Sequence, residues 1–187
     1  MKERNEVNSL SFGIVYFVMF FISYVIDHEN RIILYPKIGP NFLKDILLDS
    51  LIGVAVGIVV VLISQIVTKK SKALQDLGHE LGMLIGKMRL QEIFFLAFFS
   101  SVGEEFLFRG IIQGYGGLII ASVVFGILHT APGKKGVAWS VFALIMGFVM
   151  GLEYMWRKNI LTPIWTHFIV NFFNVYLLQR KISKTKN

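Results

Sequence analysis

The stretch Ser100-Ser101-Val102-Gly103-Glu104-Glu105-Phe106-Leu107-Phe108-Arg109-Gly110 sets two adjacent carboxylates and a guanidinium inside an apolar, aromatic run covering 93–113. Roughly 20 mostly apolar residues are what a helix needs to cross a hydrocarbon core of about 30 Å. An ionisable group at the centre of such a helix costs at least about 2.5–3.5 kcal/mol on the insertion scale, so each of the three asks for a reason. Glu105 and Arg109 are four residues apart with the acid on the N-terminal side, the favoured order for a helical ion pair. Glu104 is rotated about 100° from Glu105 on a 3.6-residue helix and needs a different partner.

Five further apolar runs flank this one, at 10–26, 46–67, 116–129, 137–155 and 160–178. With 55% apolar residues and a mean hydropathy of +0.63, the 187-residue chain reads as all-α: a polytopic membrane bundle of about six transmembrane helices. The first run is expected to be retained, because no small-x-small cleavage site precedes Asp27, His28 and Glu29. The run at 116–129 reaches only about 21 Å, so it is expected to tilt or to stop at a water-filled pocket. The Gly114-Tyr115-Gly116-Gly117 cluster before it reads as a tight turn.

Six spans put both termini on one side, together with thirteen basic residues: Lys2, Arg4, Lys69, Lys70, Lys72, Lys87, Arg89, Lys134, Lys135, Arg180, Lys181, Lys184 and Lys186. The other side holds Arg31, Lys37, Lys44, Arg157 and Lys158. The positive-inside rule makes the first side cytoplasmic, and a bacterial plasma membrane is the expected location. Leu74, Leu77, Leu81, Leu84, Ile85 and Met88 recur at helical spacing, which predicts an amphipathic helix on the cytoplasmic face. The net charge of +7 is spread over short loops with no interleaved aromatic stripe, which argues against nucleic acid. The absence of Cys excludes thiolate chemistry, disulfides and Cys-ligated zinc. Three regions follow: two spans with the amphipathic helix over 1–90, a core over 91–178, and a basic tail over 179–187 that is expected to be disordered from Lys181.

Two further polar motifs lie in the later runs. Glu104 is roughly 11 residues before the glycine turn and His129 roughly 13 after it, which puts both on the order of 17–20 Å from the turn, able to meet across a hairpin. His167 and Asn171 stand at i and i+4, on one face of the last run. A carboxylate, two imidazoles and an amide, with no serine or cysteine nucleophile among them, suit the activation of water. A carboxylate withdrawn from bulk water is the stronger base, and donors such as His167 and Asn171 stabilise a developing oxyanion. Glu104, His129 and His167 also form a catalytic zinc ligand set, with water as the fourth ligand, so a cofactor of none or of Zn2+ stays open.

Glu104-Glu105-x-x-x-Arg109, Phe125-x-x-x-His129 and His167-x-x-x-Asn171 together resemble, in order, the three signatures of the CAAX protease and bacteriocin-processing (CPBP, or Abi) family of intramembrane endopeptidases. The resemblance covers 91–178. It implies Glu104 as catalytic base helped by His129, with His167 and Asn171 as the oxyanion hole, and Glu105 with Arg109 as the pair that holds the first helix. It implies a peptide or membrane-protein substrate in the lipid bilayer, prenylated in one branch of the family, and ties to bacteriocin immunity in others. The larger members have eight spans.

Plainer readings stand beside these. Glu105 with Arg109 also fits a buried ion pair that fixes register, and His167 with Asn171 also fits interhelical glue. His28 and His79 read as solvated, and Asp49 and Glu153 as snorkelling at span ends. A catalytically silent immunity or scaffold protein is the rival from another class. A transporter ranks last, because no pair of corresponding interrupted helices occurs in two halves.

Overall fold

The computed structural model describes residues 9–26, 39–130 and 134–184. These form α1 (Ser9–Ile26), α2 (Phe42–Lys70), α3 (Lys72–Ile85), α4 (Leu90–Glu105), a π-helical segment (Phe106–Ile112), α5 (Gln113–Leu128), α6 (Lys134–Arg157) and α7 (Leu161–Lys184), with no strand among the described residues. His28 lies outside the described residues.

The packing is inverted relative to a soluble protein. Phe17, Tyr24, Leu47, Leu51, Ile119 and Ile127 are each more than 60% exposed, whereas Asp49, Glu105 and Arg109 are fully buried. Apolar surface on this scale asks for a nonaqueous solvent, and helices satisfy their backbone groups internally, as the bilayer requires. The protein is an integral membrane protein built as a polytopic helical bundle.

Among the described residues, four helical stretches are long and apolar enough to cross: Phe42–Lys70, Leu90–Leu128, Gly136–Arg157 and Leu161–Lys181. The six expected runs each fall on a helical segment among the described residues: the first is α1, 18 residues long, and the two runs on either side of the glycine cluster form one helical stretch that bends back on itself. That stretch stays helical through Gln113–Gly116 and breaks at Gly117, where φ 78° and ψ 173° leave the helical region. A positive φ is cheap only for glycine, so the bend sits where the sequence permits it.

The amphipathic helix forms as α3, with Leu77 buried and Lys72, His79 and Glu80 exposed. The Ser71 side chain accepts from Leu74 N at 3.4 Å, and Gly86 ends the helix with φ 74°, a cap followed by a left-handed stop. His79 is therefore solvated, on a helix rather than in a loop. The tail differs from its expectation: α7 continues through Lys184, because Arg180 and Lys181 keep helical backbone. Arg180 stacks over the Tyr176 ring one turn back, and Lys181 Nζ donates to Gln65 Oε1 at 3.4 Å.

Asp49 and Glu153 do not snorkel. Asp49 is fully buried on α2, ion-paired with Arg157 and accepting from Asn159 Nδ2 at 2.8 Å. Glu153 on α6 is 6% exposed, with Oε1 accepting from the Thr166 hydroxyl at 2.8 Å. Both acids face the bundle interior, where α2, α6 and α7 supply partners that a single helix viewed alone does not show.

Candidate active site

Glu104 and Glu105 are the last two residues of α4, where the α-helix passes into the π-helical segment. Such π-turns are rare and recur at functional sites. The two acids point in different directions and meet different neighbours.

Glu105 is saturated. Its Oε2 accepts from Arg109 Nε at 2.9 Å and its Oε1 from His167 Nδ1 at 2.8 Å. Arg109 also donates from Nη1 to Gln113 Oε1 and to the Gly147 carbonyl, each at 2.9 Å, and Gln113 Nε2 donates to the Gly151 carbonyl at 3.0 Å. The expected ion pair therefore exists, and it is one link in a buried chain that joins α4 to α6 and to His167 on α7.

Glu104 is not saturated. Its Oε2 is buried without a hydrogen bond and lies 3.3 Å from His129 Nε2 and 3.9 Å from His167 Nε2. The hairpin bent at Gly117 thus brings His129 back to the depth of Glu104. His129 Nδ1 is 2.8 Å from the Phe125 carbonyl. A carbonyl only accepts, so Nδ1 carries the proton there; the Glu105 carboxylate assigns His167 the same way. Both Nε2 atoms are thereby turned toward Glu104. The Phe125 ring stacks on His129 at 4.2 Å and meets His167 edge-on at 5.9 Å, itself wedged by Phe108 at 4.7 Å.

Asn171 lies one turn beyond His167. Its Nδ2 donates to Ser100 Oγ at 3.0 Å, and the Ser100 hydroxyl donates to the Ala97 carbonyl at 3.2 Å. That chain fixes which side of the amide carries nitrogen and leaves its second N–H for another acceptor. Asn171, His167, His129 and Phe125, with Trp139 and Met146 of α6, line a cavity of about 30 Å³, room for one or two waters.

Among the described residues no group of three His, Asp or Glu is arranged to hold a metal ion, so the zinc alternative has no preformed ligand set in this structure.

All six residues singled out in the sequence, Glu104, Glu105, Arg109, His129, His167 and Asn171, are in this network. The sequence reading does not include Ser100 and Gln113, and it carries Phe125 only as a motif position. Ser100 and Gln113 extend two adjacent helical rows, Ser100 four residues before Glu104 and Gln113 four after Arg109, so i,i+4 spacing is a usable signal.

Residues 87–173 match the family model described as type II CAAX prenyl endopeptidase Rce1-like. Over 122 residues the chain is 33% identical to the uncharacterized protein YpbD of Bacillus subtilis (strain 168), an alignment covering 64% of this chain and 63% of that protein. No solved structure matches the chain. The matched segment contains every acid, imidazole and amide of the network described above, and over it this membrane protein is similar to the Rce1-like type II CAAX prenyl endopeptidases.

Proposed function

We propose that the protein hydrolyses a peptide bond at the level of the membrane, using water activated by Glu104 and His129 without a metal. The observation that carries this reading is the buried, unbonded Oε2 of Glu104 facing two imidazole nitrogens. A buried acceptor left unpaired costs about 1–3 kcal/mol, and the proposed partner is a water reaching Glu104 from the cavity that its neighbours His129 and His167 line.

In the proposed reaction Glu104 takes a proton from that water, with His129 Nε2 helping to orient it. The water oxygen bonds to the peptide carbonyl carbon, and the carbonyl oxygen becomes an oxyanion. The spare N–H of Asn171 and a protonated Nε2 of His167 donate to it. His167 Nδ1 donates to Glu105, and Arg109 holds Glu105 in place. Collapse breaks the C–N bond as Glu104 returns its proton to the leaving amine, yielding a carboxylate and an amine. Glu104, His129, His167 and Asn171 act on substrate, while Glu105, Arg109 and Ser100 are positioning residues.

The substrate is proposed to be a membrane-associated peptide or protein, with a prenylated tail as the form the family name favours. The basic end of the bundle, with Lys69, Lys70, Lys87 and Arg180, is proposed to face the cytoplasm of a bacterial plasma membrane, and the region from 91 to 178 to be the catalytic core. Cleavage of prenylated tail peptides, leader-like peptides and signal-peptide remnants, followed by mass spectrometry, tests the reading. Products from wild type that are absent with Glu104→Gln support it. No product across the panel from folded wild-type protein would favour the silent immunity or scaffold role.

A further inference from the structure

A second cavity, about 270 Å³, opens at the basic end of the bundle between the α3–α4 link and the end of α7. Lys87 and Arg180 line it, together with the apolar side chains of Leu90 and Ile93 and the ring of Tyr176. Both cations are presented by a built frame. Gln179 donates from Nε2 to the Gly86 carbonyl at 2.7 Å and accepts at Oε1 from Met88 N at 3.3 Å, so the backbone on each side of Lys87 is clamped to α7. Gly86 makes the turn with a positive φ of 74°, which only glycine adopts cheaply. Arg180 lies over the Tyr176 ring with its guanidinium carbon 5.9 Å from the centroid, a cation–π contact that restrains it. The nearby Arg89 does not line the cavity, and its Nε and Nη2 both donate to Glu92 Oε1, at 3.0 and 2.8 Å.

We propose that this cavity binds the headgroup of an anionic glycerophospholipid, the phosphate between Lys87 and Arg180 and the start of an acyl chain along Leu90 and Ile93. Basic pockets between helices at the headgroup level suit anionic lipids, and each cation there contributes about a factor of five in affinity. An apolar wall beside the two charges distinguishes a lipid from a free anion. The site is separate from the acid–imidazole cluster and does not depend on the protease reading.

The test is thermal unfolding of the full chain in neutral detergent, titrated with dioctanoyl phosphatidylglycerol, dioctanoyl phosphatidylcholine or inorganic phosphate. The expected result is a saturable rise in midpoint with phosphatidylglycerol alone. Lys87→Gln with Arg180→Gln should weaken it roughly thirtyfold, and Arg89→Gln, outside the cavity, by less than about twofold. Should the double variant fail to fold, Lys87→Gln alone, in an exposed link, should weaken it about fivefold. Equal stabilisation by phosphatidylcholine, an unchanged response in the variants, or saturation by inorganic phosphate alone would overturn the proposal. So would displacement of the lipid by a peptide with a free C-terminal carboxylate, which would assign the cavity to substrate.

Discussion

Two buried acids, Asp49 and Glu104, are surrounded in opposite ways. Asp49 on α2 has both oxygens engaged, one by Arg157 and one by Asn159. Glu104 on α4 keeps one buried oxygen without a hydrogen bond, beside two imidazoles. A saturated buried ion pair holds helices in register, and removing one partner strands the other charge. An unsaturated acid costs stability and persists where it has work to do on something that comes and goes. The difference supports the proposed division, Asp49 serving the architecture and Glu104 the chemistry, although both are carboxylates buried in a membrane bundle.

The largest expected effect is on activity. Glu104→Gln keeps shape and removes the base, and cleavage should fall at least about a thousandfold while the thermal midpoint stays within a few degrees. Asp49→Ala should do the reverse: unfolding should become easier by about 3–5 kcal/mol, measured by denaturation in detergent, with the rate per folded molecule unchanged. Asn171→Ala should lower kcat by about a hundredfold with little change in KM, as expected for a donor used only in the transition state. Ser100→Ala acts one step back, by freeing the Asn171 amide to turn, and should cost about tenfold in kcat. The smallest effect sharpens the comparison. Glu153 also has a buried oxygen without a hydrogen bond, but its hydrogen-bond partner is the Thr166 hydroxyl. Glu153→Gln should change the rate by less than about threefold, and a loss as large as that of Glu104→Gln would show that an unbonded oxygen alone is the wrong criterion.

The same comparison explains what the sequence disclosed. Glu104, Glu105 and Arg109 stand out because charge in a span is costly, and the hairpin count from the glycine cluster correctly placed His129 beside Glu104. The Asp49–Arg157 pair joins residues 108 positions apart on different helices, so no local spacing announces it, and the acid near a span end read as snorkelling. The π-helical segment after Glu105 has no signal in residue type. Gly117 marked a turn, but not that the helix runs on through Gln113–Gly116 before bending. The added link from Glu105 to His167 spans 62 positions and makes the Glu105–Arg109 pair a direct support of the His167 imidazole.

The measurement that bears most directly on the central claim is the cleavage rate of wild type and Glu104→Gln at matched folded concentration, with and without a strong metal chelator. The account expects wild-type product with or without chelator and none from Glu104→Gln. Product from folded Glu104→Gln at a wild-type rate, or activity that chelator removes and zinc restores, would contradict it.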